Sequence, residues 1–588
     1  MQNAETVLGV LRERGRRGLP LNELYRQLFN PQLYLLAYGR IYSNKGAMTA
    51  GADQETVDGM SLAKIERIID ALRHERYRFK PVRRVHIPKK NGKTRPLGLP
   101  SWSDKLVGEV IRLLLDAYYE PQFSDRSHGF RPGRGCHTAL TQIANTWSGT
   151  NWFIEGDIAD CFGSLDHSVM LGILGEKIHD GRFLGLMRNM LQAGYLEDWE
   201  WNTTLSGVPQ GGVASPVLSN IYLHRLDEFV ETVLIPEYTR GEHRASNPAY
   251  REVLNAIRRA HRRGDRQRVR ALRQQLRLLP SVDPQDAGYR RLKYVRYADD
   301  TLLGFAGPKA EAEEIKARLA AFLRDDLTLN MSQEKTLVTH GRTQAARFLG
   351  YEITIQHNDR KATNGKRSVN GKIALRVPMD VIKAHSAPYL KRGKPAERSW
   401  LVNGDDHTIV ATYGAEYRGI VQYYLLARDV WRLNRLQWVM ETSMLKTLAG
   451  KHRATVSKMA RRYATTIQTA VGPRKCFQAE IRSGRGKPLV ARFGGIPLMR
   501  QKRAVLRDRR PPTIGRRREL ITRLLAAVCE ICGQTEDITV HHIRKLADLD
   551  KVGTPPPVWA HLMARRRRKT LVVCAACHAE IHTGKSAA

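Results

Sequence analysis

The sequence predicts a multidomain α+β protein, on three observations. A chain of 588 residues is too long for one hydrophobic core. Strand-like and helix-like segments alternate up to about residue 360, after which the pattern turns helical and aromatic-rich to about Gly472. The final stretch, from about residue 523, concentrates cysteine and histidine.

In the alternating region, Trp152 to Ile158, Tyr294 to Tyr297 and Thr301 to Phe305 are rich in β-branched and aromatic residues and read as strands. Asp299 and Asp300 then fall at a hairpin turn, and Asp157 at a strand end. Asp166 reads as the cap of a helix over His167 to Ile178. Ser215-Pro216 reads as a cap and first-turn proline, with Leu218, Tyr222, Leu226, Phe229 and Val233 recurring on one helix face. The arginine-rich stretch 236–293 has few apolar anchors and reads as an inserted helical, RNA-contacting element. Tyr413 to Tyr424 and Trp431 to Ala449 are the clearest later helices. Ile481 to Arg518 is basic and rich in Gly and Pro, as a linker or extended nucleic-acid contact would be.

Lysine and arginine number 97 against 58 acids, a formal charge of +39. Such a charge opposes compact folding unless a polyanion neutralises it, so nucleic acid is the expected partner. No apolar run reaches the ~18 residues of a membrane span. Val7 to Leu11 is too short for a secretory signal. The expectation is a cytoplasmic protein, nucleoid-associated when on DNA, with no membrane partner.

Adjacent carboxylates repel unless a cation lies between them, and hard oxygen ligands suit Mg²⁺. Asp157, Asp299 and Asp300, from two strands, are what a two-metal phosphoryl-transfer site needs. They sit in an ordered set of motifs. His86 to Leu97 comes first, then Ser127-His128-Gly129-Phe130-Arg131-Pro132-Gly133, Gly156 to Phe162 and Gly207-Val208-Pro209-Gln210-Gly211-Gly212. Tyr297-Ala298-Asp299-Asp300, Leu329 to Thr336 and Phe348-Leu349-Gly350-Tyr351 complete it.

This set resembles the reverse transcriptase of group II intron-encoded proteins. The resemblance implies a right-hand polymerase with fingers and palm over 1–365, interrupted by 236–293, and a thumb or maturase domain over 366–480. It implies two Mg²⁺ ions held by Asp157, Asp299, Asp300 and the Ile158 carbonyl. Phe162 would stack under the incoming sugar and exclude a 2′-hydroxyl. Gln210 would contact the sugar and template region. Lys89, Lys93 and Arg95 supply cations for the deoxynucleoside triphosphate.

Glu416 to Tyr424 and Thr447 to Arg453 look like the maturase region of the same family. Arg418, Lys451, His452 and Arg453 are the candidates there for contact with intron RNA.

After a basic DNA-binding linker over 481–522 comes the module 523–588. Its two Cys-x-x-Cys pairs, Cys529/Cys532 and Cys574/Cys577, can close one structural Zn²⁺ site. His541, His542, His578 and His582 remain, and the pattern resembles an HNH endonuclease with a ββα-metal core. That likeness implies a catalytic divalent metal on His541 with His578 or His582, and His542 as the base that activates water. Thr570 stands where the middle Asn of the pattern would fall. Arg565 to Lys569 suits target DNA phosphate.

Together these features imply a multifunctional intron-encoded protein that copies RNA into DNA, assists splicing and cuts DNA. The competing classes are an RNA-binding maturase with a vestigial polymerase and a stand-alone host reverse transcriptase. Intact acids weigh against the first, and the maturase-like and HNH-like regions against the second. A dimer stays possible.

Overall fold

The computed structural model describes residues 3–583 apart from 89–91, 93, 198–199, 203, 205, 209–210, 284–285, 333, 360, 364–365, 482–487, 507–513 and 552–555. Lys89, Lys93 and Gln210 lie outside the described residues.

A four-stranded antiparallel sheet organises the first half, in the order Arg291–Tyr297, Asp300–Ala306, Trp152–Gly156, Val338–His340. Side chains alternate between its faces. Ile154, Tyr294 and Leu303 enter a core shared with the amino-terminal helices, while Phe153, Val295 and Leu302 enter one shared with the later helical region. The two inner strands, Asp300–Ala306 and Trp152–Gly156, therefore read as largely apolar runs.

The helix Ser215–Phe229 supports this sheet, and Phe229 stacks on Phe322 at 4.1 Å. Ser215 lies inside the helix and Ala214 is its boundary residue. The Ala214 carbonyl already accepts from the Val217 and Leu218 amides, so no side-chain cap is needed. Asp166 does cap its helix, accepting from the Val169 amide at 2.9 Å, but that helix ends at Gly175. The basic insertion is a pair of helices, Pro248–Arg262 and Arg266–Leu278, with Val253, Ala260 and Val269 buried.

The later region departs from the all-helical expectation. Besides the helices Asp406–Tyr424 and Asn434–Lys451, it contains an antiparallel sheet of Ala464–Thr469, Gly472–Ile481 and Leu489–Gly494. The third strand falls in the stretch expected to be linker. Its alternation buries Ala491 and Phe493, and Phe493 packs 5.4 Å from Tyr417. Gly414 permits this approach, because a Cβ there would lie 2.1 Å from the Arg492 carbonyl oxygen. The same supposed linker also supplies the helix Ile514–Leu525, whose Leu520 and Leu524 are buried in the amino-terminal core.

The Cys/His module has a hairpin of Ile538–His542 and Thr570–Cys574, then a helix Ala575–Thr583. Met60–Ser61 adds a third strand to this hairpin. No helix among the described residues is long and apolar enough to cross a membrane.

Candidate active sites

The pairing of Gly156 with Thr301 brings Asp157, Asp299 and Asp300 to one end of the central sheet. Gly156 allows this closeness, since a Cβ there would fall 2.2 Å from Thr301 Oγ1. Asp299 lies in the turn and Asp300 opens the following strand. Burial, then the charge of Asp157, raises the Asp299 carboxyl above the usual range. Burial, then the charges of Asp299 and Asp157, pushes the Asp300 carboxyl up to about 7. Three crowded carboxylates of this kind fit hard divalent cations.

Two further features hold the acids in place. The Ser332 amide donates to the Asp157 carbonyl at 2.8 Å, and Lys335 Nζ donates to Asp157 Oδ2 at 2.7 Å. Lys335 lies within one of the ordered motifs, but nothing in its own neighbourhood marks it as a partner of Asp157. Beneath the turn, Arg296 is wholly buried and donates to Asp227 Oδ1 and Oδ2, to Asn220 Oδ1 and to the Ala298 carbonyl. Ala298 takes a left-handed φ of 55°. Gly129 lies against it so closely that a Cβ would be 2.4 Å from the Ala298 nitrogen. In the sequence Arg296 stands between Val295 and Tyr297 beside the acidic turn, but Arg291 and Lys293 of the same strand carry the same charge, so charge alone does not mark it.

Ile158 is buried and its backbone bridges to Met331. Phe162 lies in the short helix Cys161–Ser164, half-buried against the amino-terminal core. Its carbonyl accepts from the Val208 amide at 2.8 Å. Arg95 is exposed on the strand Thr94–Leu99, opposite Ile87.

At the far end of the chain, the sulfurs of Cys529, Cys532, Cys574 and Cys577 all lie within 4.8 Å of one another. Cys532 and Cys574 are 3.7 Å apart. Tetrahedral Zn–S bonds of about 2.3 Å place sulfurs about 3.8 Å apart, so the set fits zinc. A second cluster joins His541, His578, His582 and Asp58. His578 Nε2 is 3.2 Å from Asp58 Oδ1 and His582 Nε2 is 2.7 Å from Asp58 Oδ2. His541 Nδ1 lies 3.4 Å from Asp58 Oδ1, and neither buried ring nitrogen of His541 has a well-formed hydrogen bond. Such orphaned nitrogens fit a metal ligand. Thr570 faces His542 across the hairpin, but its hydroxyl accepts from Arg523 Nη2. His542 Nε2 instead meets the Tyr38 hydroxyl at 2.9 Å.

Three family models match the chain in order. They are reverse transcriptase (RNA-dependent DNA polymerase) over residues 87–353, type II intron maturase over 370–480 and AI2M/AI1M-like HNH endonuclease over 529–578. The chain is 38% identical to the group II intron-encoded protein LtrA of Lactococcus lactis subsp. cremoris, across 95% of both chains. The chain belongs to the group II intron-encoded proteins. It is also 32% identical to an uncharacterized 91 kDa protein in the cob intron of Schizosaccharomyces pombe, over 96% of this chain and 70% of that one. Protein YkfC of Escherichia coli is 32% identical over 57% of this chain and 84% of its own. This group II intron-encoded protein thus combines an RNA-directed DNA polymerase, a splicing maturase and an HNH endonuclease.

The maturase residues divide into two kinds. Arg418 and Arg453 are exposed, as an RNA contact requires. Lys451 and His452 are half-buried, and both reach Asp406. Lys451 Nζ lies 2.8 Å and His452 Nε2 2.9 Å from Asp406 Oδ1. Burial opposes ionisation of Asp406, but the hydrogen bonds from Lys451, Tyr463 and His452 outweigh it and hold the carboxyl at about 2. Two of the four basic residues therefore tie the end of one helix to the start of another. A Lys-His-Arg run read without its fold gives no sign of an acid 45 residues upstream.

Proposed function

We propose that this group II intron-encoded protein acts by target-primed reverse transcription. It binds its intron RNA, nicks a DNA target and copies the intron from the exposed 3′ end. The convergence of Asp157, Asp299 and Asp300 at one strand end carries the reading. These acids, with the Ile158 carbonyl, would hold two Mg²⁺ ions, whose Lewis acidity would supply activation of the primer 3′-hydroxyl and neutralisation of the triphosphate charge. Arg296 fixes the turn that carries Asp299, and Ser332 fixes the backbone of Asp157. Phe162 excludes a 2′-hydroxyl by bulk, and Arg95, with Lys89 and Lys93, meets the triphosphate. Gln210 contacts the sugar and template region. In the endonuclease centre, His542 accepts the proton of the attacking water, while His541, His578 and His582 hold a divalent metal. The four cysteines hold a structural zinc that stabilises a small module. Residues 1–365, 366–480 and 523–588 form the polymerase, maturase and nuclease units. The test is primer extension on an RNA template with Mg²⁺, wild type beside the Asp299→Ala/Asp300→Ala variant. DNA product from wild type alone is expected. Absence of product from RNA-bound wild type would favour the vestigial-polymerase maturase.

A further inference from the structure

The nuclease cluster contains a residue from the other end of the chain. Asp58 lies just before the Met60–Ser61 strand, which pairs with Val540 and Thr539 of the nuclease hairpin. The Gly59 amide donates to the Val540 carbonyl at 3.0 Å, and the His542 amide donates to Asp58 Oδ1 at 2.7 Å. This is backbone pairing, continuous with a shared apolar core in which Val540 and Val572 pack with the amino-terminal helices. It therefore fixes the Asp58 carboxylate relative to His541, His578 and His582 to within hydrogen-bond distances.

We propose that Asp58, carried by the polymerase half, is a ligand of the endonuclease metal, so that the nuclease centre is complete only when its module is seated on the polymerase. The inference rests on the reading that the three histidines hold that metal. Three imidazoles and one carboxylate suit a divalent transition ion better than Mg²⁺, and Mn²⁺ is the transition ion that also takes oxygen ligands readily. In a six-coordinate ion four protein ligands leave two positions, enough for a phosphate oxygen and a water. A tetrahedral zinc would be saturated by the same four.

The surroundings favour a working centre over a blocked one. His542 lines a cavity of about 790 Å³ between the module and residues 42–48 of the polymerase half. Lys45, Arg544, Lys545, Arg566, Arg568 and Lys569 line it too, with Glu519 as the acid. A groove so charged suits a DNA phosphate backbone. It opens onto the proposed base. The polymerase half also seats that base, since the Tyr38 hydroxyl meets His542 Nε2.

The test is Mn²⁺ titration of the full-length protein in the Asp299→Ala/Asp300→Ala background, which removes two of the three polymerase acids. Asp58→Asn and His541→Ala are compared. Nicking of duplex DNA is followed in parallel with the polymerase acids intact. Asp58→Asn should weaken Mn²⁺ binding at least about tenfold and slow nicking to match. Unchanged Mn²⁺ affinity in Asp58→Asn with loss in His541→Ala would overturn the proposal and leave the histidine reading standing. No loss in either would overturn both. Faster nicking by Asp58→Asn would identify Asp58 as a plug and overturn the proposal. Asn keeps a carbonyl oxygen for the His542 amide, and trypsin resistance of the module reports its seating. Should Asp58→Asn release the module, Asp58→His decides. Mn²⁺ binding recovered above the Asn variant supports ligation, and equal loss in a seated module overturns it.

Discussion

Arg296 Nη2 lies 2.6 Å from Asp227 Oδ2, and both side chains are wholly excluded from solvent. The pair lies beneath the turn that carries Asp299. Removing one partner strands the other charge in the interior. Arg296→Ala should therefore destabilise the protein by about 3–5 kcal/mol and abolish cDNA synthesis. Arg296→Met with Asp227→Leu should recover most of the stability but little of the polymerase activity, because the hydrogen bond to the Ala298 carbonyl stays lost. Urea unfolding and primer extension on both variants check this. Equal activity in the double variant would deny Arg296 its positioning role.

Asp299→Ala with Asp300→Ala should remove cDNA synthesis yet leave intron splicing assistance largely intact. The two readouts draw on different surfaces, the sheet end and the basic maturase face. A splicing assay beside primer extension decides it. Loss of both would mean that the acids also shape the RNA-binding surface.

The Asp300 carboxyl, raised to about 7 by burial and by Asp299 and Asp157, gives a pH dependence. A proton on Asp300 stabilises the native state fully below the ordinary carboxylate range. That contribution is lost as pH rises through about 7. Mg²⁺ binds the ionised form, so it should raise the melting temperature more at pH 8 than at pH 6. An equal shift at both values would count against metal binding at Asp300.

His542→Ala should slow DNA nicking by roughly 10²–10⁴-fold without releasing zinc. Cys574→Ala should release one equivalent of zinc and expose the module to protease, with the polymerase still active. Metal analysis and limited proteolysis report these outcomes. A His542→Ala protein that nicks at the wild-type rate would disprove the base assignment.

Arg418→Ala and Arg453→Ala should each weaken intron RNA binding and reduce the salt slope by about one. Lys451→Ala should instead lower stability, with the slope unchanged, because its ammonium is spent on Asp406. Filter binding across a salt series distinguishes the two. A wild-type affinity that ignores salt would undercut the role assigned to the basic surface.

The family motifs and the broad architecture are legible in the sequence alone. The carboxylates at Asp157, Asp299 and Asp300, the paired cysteines and the order of the motifs are local patterns, and period-two and helical repeats locate the elements that bear them. Its reading failed where long-range pairing decides the outcome. The strand Leu489–Gly494 passed for linker because it is short and set in a basic, Gly- and Pro-rich stretch, and only its partner Gly472–Ile481 reveals what it buries. The pairing of Lys451 and His452 with Asp406 is hidden for the same reason, because charge is visible in a sequence and an ion-pair partner is not. Asp58 gave no signal at all. Its motif-free surroundings gain meaning when backbone pairing seats the nuclease hairpin on Met60–Ser61, which places a carboxylate against three histidines about five hundred residues away. Local chemistry is written in neighbouring residues, but a site shared between distant segments exists only once tertiary packing has paid the entropy of joining them.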